Sequence, residues 1–247
     1  MNKDRAGGHW DDPTLTDWWQ REFTDGVDPE YTDQILPLIA GELQGADRVL
    51  DVGAGEGQVA RVLAEAGSTV VGVDPFPAQI TEAARRGGNP LYGLAEAAAL
   101  PFADAAFDAA VACLVFEHID DVDAAIGEVA RILKPGGTFL FLLNHPLLQT
   151  PGSGWIDDQI IDPPEQYWRI GPYLVEQATV EEVQKDVFVR FLHRPLSRYL
   201  NALSKAGLML EFMHEPAPPE AFVAQSPHYA DASTVPRLLA LRLVKKA

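Results

Sequence analysis

Cysteine is nearly absent from this 247-residue chain: Cys113 stands alone, so no disulfide can form within it. Long apolar runs are absent too. The longest, residues 109–116, holds Cys113 as a small core residue and is far too short for a bilayer, which needs about 20 apolar residues. No apolar stretch follows the start Met1-Asn2-Lys3-Asp4-Arg5, so no secretory signal is expected. These absences predict a cytoplasmic protein with no membrane partner. Basic residues are few, 19 against 36 acidic ones, for a net charge of −17. A phosphate backbone is bound by displacing counterions with Lys and Arg, so a nucleic-acid partner is not expected. The only adjacent basic pairs are Arg85-Arg86 and Lys245-Lys246. Histidines and cysteines show no metal-ligand spacing, and no metal is expected. Asp120-Asp121-Val122-Asp123 reads instead as a helix N-terminus, where acids favour the dipole. No internal repeat is visible.

What is present is informative. Val49-Leu50-Asp51-Val52 is an apolar strand that runs into Gly53-Ala54-Gly55-Glu56-Gly57 and then a helical pattern. A second apolar run, Thr69-Val70-Val71-Gly72-Val73, ends at Asp74. Strand, glycine turn, helix, strand and terminal acid describe a βαβ unit that holds a nucleoside. Glycines let the backbone approach a ligand where a Cβ would clash. Asp74, at the strand's carboxyl end, is placed to accept the hydroxyl protons of a ribose. The spacing is G-x-G-x-G, whereas a dinucleotide fingerprint reads G-x-G-x-x-G, so a NAD-type oxidoreductase is the weaker alternative.

This stretch resembles the first motif of the class I S-adenosylmethionine-dependent methyltransferases. Further stretches follow in the family's order. Glu96-Ala97-Ala98-Ala99-Leu100-Pro101-Phe102 resembles the D-A-x-x-L-P-F segment, with Glu96 where Asp is usual. Phe107-Asp108 through Phe116-Glu117-His118 resembles the fourth strand and its loop. Ala130-Arg131-Ile132-Leu133-Lys134-Pro135-Gly136-Gly137 resembles the turn opening the fifth strand. The resemblance implies a doubly wound α/β sheet of seven strands in the order 3-2-1-4-5-7-6, the last antiparallel. It implies S-adenosylmethionine as cofactor and S-adenosylhomocysteine as product. It carries cofactor contacts onto Asp51, Gly53, Ala54, Gly55, Gly57, Asp74, Pro75, Glu96, Ala97 and Leu114, with Tyr31 and Trp19 from the N-terminal helices.

Along the chain, residues 1–45 read as an N-terminal helical gate, with helices near 15–23 and 31–43. Residues 46–144 read as the cofactor-binding core. There, strands at 48–52, 69–73, 89–94, 107–114 and 138–143 alternate with helices at 57–66, 78–86 and 122–133. Residues 145–192 read as a cap rich in proline, glycine and aromatics, with one alternating strand near 185–191. Residues 193–247 read as the rest of the core: a helix at 195–205 and strands at 208–213 and 237–244.

A small methyl acceptor is expected, apolar or aromatic, with oxygen more favoured than nitrogen. Its proton needs a base, and histidine titrates near neutrality. His145 follows the fifth strand. His193 opens His193-Arg194-Pro195-Leu196-Ser197-Arg198-Tyr199-Leu200-Asn201, which resembles an H-R-T-L-S-x-Y-L-N stretch of a bacterial small-molecule subset, with Pro195 in place of Thr. His145 and His193 are the catalytic candidates. His118, Trp155, Trp168, Tyr173 and Arg194 are the acceptor-binding candidates, the aromatics forming a roof. The cap is expected to cover the acceptor. A monomer or homodimer is expected. A catalytically silent S-adenosylmethionine-binding protein is the other alternative.

Overall fold

A computed structural model of the chain describes residues 8, 10–225 and 233–246. Residues 1–7, part of the expected gate, lie outside them. Seven strands form one sheet: β1 (Arg48–Val52), β2 (Thr69–Asp74), β3 (Leu91–Leu94), β4 (Phe107–Cys113), β5 (Leu133–Asn144), β10 (Leu208–His214) and β11 (Leu238–Lys245). Their order is β10-β11-β5-β4-β1-β2-β3. All neighbours are parallel except β11, which runs antiparallel to both β5 and β10. This is the expected topology.

Seven α-helices lie among the described residues: α1 (Pro13–Phe23), α2 (Leu36–Glu42), α3 (Gln58–Glu65), α4 (Pro77–Arg86), α5 (Val122–Ile132), α6 (Leu196–Lys205) and α7 (Glu220–Ala224). The central strands are apolar on both faces, as strands covered by helices must be. Ala109 and Val111 of β4 face one core, with Val49 of β1, Ile35 and Ile39 before and in α2, and Leu63 of α3. Ala110 and Ala112 face the other, with Leu50 of β1, Ile126 and Val129 of α5 and Leu203 of α6. No helix among the described residues is long and apolar enough to cross a membrane.

Local chemistry sets the element ends. Asp12 caps α1 by accepting the Thr14 N–H at 2.9 Å, and Asp121 caps α5 through Ala124 at 3.0 Å. Lys134-Pro135-Gly136-Gly137 loops out of the β4–β5 ladder between the pairs Phe107↔Leu133 and Ala109↔Thr138. The helix expected at 31–43 is divided. Tyr31–Ile35 forms a wide π turn before α2, with the Leu36 N–H reaching back to the Tyr31 carbonyl. Pro37 has no N–H with which to close the α-helical bond to Asp33.

The insert departs most from expectation. Instead of irregular cap it is two antiparallel hairpins: β6 (Gly154–Asp158) with β7 (Glu165–Arg169), and β8 (Gln177–Gln184) with β9 (Val187–His193). Polar and apolar residues are mixed in β6, β7 and β8, which expose much of both faces, so no clean period of two marks them. Only β9 shows the buried alternation that a sequence reading can detect.

Candidate active site

The carboxyl ends of β1, β2 and β4 surround a cavity of about 580 Å³. It sits at the sheet's switch point between β1 and β4, where open α/β sheets bind ligands. Its volume falls in the range of small-molecule sites, roughly 300–1,000 Å³.

The floor is the glycine turn. Gly53, Gly55 and Gly57 all have positive φ, of 73°, 53° and 86°. A Cβ at Gly53 would lie 2.5 Å from Val115, and one at Gly57 would lie 2.3 Å from the Tyr92 hydroxyl. A Cβ at Gly55 would meet no protein atom closer than Gln79 Oε1, at 4.0 Å. Gly53 and Gly57 are therefore glycine for the protein's own packing, whereas Gly55 opens onto the cavity. The Gly53 and Ala54 N–H groups donate to the Val73 carbonyl at 2.8 and 2.9 Å, which ties the turn to the end of β2. Asp74 completes the tie. Its Oδ2 accepts the Gly55 N–H and its Oδ1 the Phe76 N–H, both at 3.0 Å. Burial pushes the Asp74 carboxyl up to about 6, against the pull of those two bonds.

Two buried acceptors on the wall have no partner among the described residues: Asp51 Oδ2 and Gln79 Oε1. Burial pushes Asp51 up to about 7, and a backbone hydrogen bond from Ala60 opposes this. Leu114, at the end of β4, holds a left-handed φ of 57°, which is uncommon for a branched residue and typical of constrained sites. Pro75, Glu96 and Ala97 also line the cavity, with Glu96 exposed at its rim.

The roof comes from the N-terminal segment, braced by β9. Trp10, Trp19 and Tyr31 line it. Trp10 packs edge-on against Trp19 at 5.4 Å and against His118 at 5.3 Å. The Arg190 N–H donates to the Gly8 carbonyl at 3.0 Å, which stitches the N-terminal segment to β9. His118 Nδ1 meets the Arg190 carbonyl at 2.9 Å, so that nitrogen carries the proton and Nε2 keeps a lone pair. Burial holds the His118 ring down at about 4, so the imidazole is neutral at pH 7.

Residues 50–141 match the family model described as a methyltransferase domain. Over the whole fold the chain is similar to an S-adenosylmethionine-dependent methyltransferase from Mesorhizobium loti. That match has a TM-score of 0.74 at 27% identity, covering 88% of this chain and 98% of that one. The matched region and the fold are those of the class I S-adenosylmethionine-dependent methyltransferases. Among curated relatives of this chain, the malonyl-[acyl-carrier protein] O-methyltransferase of Serratia marcescens is 33% identical over 47% of this chain and 46% of its own length. The demethylmenaquinone methyltransferase of Thermus thermophilus is 40% identical over 40% and 48%. The matched part thus spans about half the length of these relatives.

The wall chemistry of the cavity fits S-adenosylmethionine. The unpartnered acceptors Asp51 Oδ2 and Gln79 Oε1 suit a ligand rich in N–H and O–H donors. Asp51, Glu56, Asp74, Glu96, Asp120 and Asp121 all line the cavity, whereas its one guanidinium among the described residues, Arg190, is paired with Asp120 at 2.6 Å. Such a wall suits a cation. Asp74 would hold the ribose, Asp51 the amino group, and the turn around Gly55 the approach of the ligand backbone.

Most expected acceptor-side residues lie elsewhere. His145 is buried away from the cavity lining. Its Nε2 donates to Glu215 at 2.8 Å and its Nδ1 accepts the Leu147 N–H at 3.1 Å. His193 donates from Nε2 to the Tyr173 carbonyl at 2.8 Å and faces a separate pocket of about 10 Å³. Both rings are engaged with the protein itself. Trp155 and Trp168 face each other across the β6–β7 ladder. The Tyr173 hydroxyl accepts the Leu196 N–H at 2.9 Å. Arg194 donates to backbone carbonyls. None of these six lines the cavity, and of residues 145–192 only Arg190 does. Of the acceptor-side residues expected from sequence, His118 alone is there. The sequence reading missed Gln79 and Arg190, and placed Trp10 only within the N-terminal gate, in the segment Trp10–Trp19. Trp10 carried a visible signal, an isolated tryptophan just before a capped helix. Arg190 carried none, because its role depends on a pairing with the far end of the chain.

Proposed function

We propose that the protein transfers a methyl group to a small, largely apolar or aromatic acceptor, to oxygen in preference to nitrogen, without a metal, in the cytoplasm. The observation that carries this is the cavity's division. One side is the glycine turn with Asp51 and Asp74; the other is Trp10, Trp19, His118 and Ile119. Bound S-adenosylmethionine supplies an electrophilic methyl on a sulfonium, whose departing thioether is neutral and needs no acid. The chain's residues position and dry the site. Trp10 and Trp19 exclude water from above, with residues before β1 acting as a gate. His118 Nε2 accepts a hydrogen bond from the acceptor's hydroxyl, orients it, and takes up its proton as the oxygen–methyl bond forms and the sulfur–methyl bond breaks, because Nδ1 is already committed to Arg190. With no unpaired guanidinium among the described wall residues, an anionic acceptor is disfavoured.

Calorimetric titration with S-adenosylmethionine, S-adenosylhomocysteine and NAD tests the cofactor. Mass spectrometry of a panel of phenols, aliphatic alcohols and carboxylic acids incubated with enzyme and S-adenosylmethionine tests the acceptor. Methylated phenols or alcohols are the expected product. Binding of NAD alone sinks the reading, and methylation confined to carboxylates overturns the acceptor class.

A further inference from the structure

The stretch at 193–201 supplies neither base nor acceptor contact, yet it grips the active-site loop. Arg194 is only 6% exposed. Its guanidinium donates to three carbonyls of the loop after β4: those of Phe116 at 3.1 Å, Ile119 at 2.7 Å and Asp120 at 2.9 Å. Phe116–His118 is a single 3-10 turn, too short to hold itself. His118, Ile119, Asp120 and Asp121 then form the cavity wall. The Tyr199 ring lies 5.9 Å from the guanidinium carbon. The nearest carboxylate, Glu176, is half-exposed and 3.9 Å away. Burying a cation whose partners are mainly carbonyls is costly, and filling space does not require it. A planar guanidinium reaches three divergent carbonyls, whereas an ammonium is a point charge.

The stretch makes two other ties. Arg198 pairs with Asp123 at the start of α5, at 2.9 Å, on the surface. His193 and Leu196 both bond to Tyr173.

We propose that Arg194 is a positioning residue for methyl transfer: it fixes residues 116–120 so that His118 and Ile119 face the acceptor. This rests on the reading of the His118 side of the cavity as the acceptor's.

The test uses the full chain with Arg194→Lys and Arg194→Gln, and Arg198→Ala as a matched control within the same stretch. Three quantities are measured: amide hydrogen exchange at 117–120, the nitrogen resonances of the His118 ring across pH, and calorimetric affinity for S-adenosylhomocysteine. In Arg194→Lys, exchange at 117–120 should speed by about tenfold or more, the loss of a charged hydrogen bond or two. The His118 ring, enclosed by Trp10, Phe191 and the Arg190 backbone, titrates at about 4 in the intact protein and should move towards 6.5. Affinity for S-adenosylhomocysteine should stay within about threefold, since Arg194 shares no partner with Asp74 or the glycine turn. Arg198→Ala should leave His118 unchanged. If Arg194→Gln does not fold, Arg194→Lys, which keeps the charge and stem, decides. A folded Arg194→Lys with unchanged exchange and unchanged His118 titration overturns the proposal. So does an Arg198→Ala variant that moves His118 equally. Failure of the unaltered protein to bind S-adenosylhomocysteine would overturn the methyltransferase reading instead, and the loop measurements would stand apart from it.

Discussion

Asp74 and Gly55 are joined across 19 residues of chain by a 3.0 Å hydrogen bond from the glycine N–H to the carboxylate Oδ2. The acid placed for the ribose therefore also braces the turn beneath it. Asp74→Ala should weaken S-adenosylhomocysteine binding by about ten- to a hundredfold, since a hydrogen bond to a charged group is worth roughly 1.5–3 kcal/mol. Calorimetry on a folded variant checks this, and an unchanged affinity would contradict it.

The three glycines should separate by phenotype. Gly55→Val adds atoms to open cavity and should abolish cofactor binding while leaving a folded protein. Gly57→Val drives a side chain into the Tyr92 ring and should cost the fold. Circular dichroism melts beside calorimetry distinguish the two. A folded Gly57→Val with normal Tm would mean that Tyr92 yields easily.

Ligand-free stability should fall as pH rises from about 6.5 to 8. Burial raises Asp51 and Glu117 to about 7 and Asp74 to about 6, from ordinary values of 3.8 and 4.5. The folded state then holds more protons than the unfolded one, so stability drops with rising pH until those groups have ionised. His118 acts in the opposite sense, but only below its ordinary value of 6.5. Asp51→Asn should flatten the profile. Thermal melts at half-unit steps test it, and a Tm that climbs through this window would refute it.

His145→Ala should lower Tm by about 2–8 °C through loss of the bonds to Glu215 and Leu147, worth roughly 1–2 kcal/mol. S-adenosylhomocysteine affinity should not change. A large loss of affinity would place His145 at the site after all.

Sequence reading succeeded where short-range physics dominates. The apolar runs of β1, β2 and β4, the glycine turn and Asp74 are local patterns, and the sheet topology followed from their resemblance to a known family. It failed where partners are distant. Trp155, Trp168 and Tyr173 looked like a roof because they are aromatic and follow β5, but they pack within and beneath the hairpins. The cover comes from Trp10, held by a Gly8–Arg190 backbone pairing that no local period reveals. His145 and His193 suggested a base because histidines titrate usefully. Which ring nitrogens are already engaged is decided by Glu215 and Tyr173, each 20 residues or more away.

Strand β11 lies between β5 and β10, although it is the last strand of the described chain. During synthesis, β5 would emerge with β4 on one side and a bare edge on the other. Its buried side chains Phe139, Leu140, Phe141 and Leu142 all await that final strand. An uncovered apolar edge invites pairing with other chains. A ribosome stalled or a message truncated before residue 238 should therefore release an aggregation-prone fragment, even though every residue of the glycine turn and Asp74 has already been made.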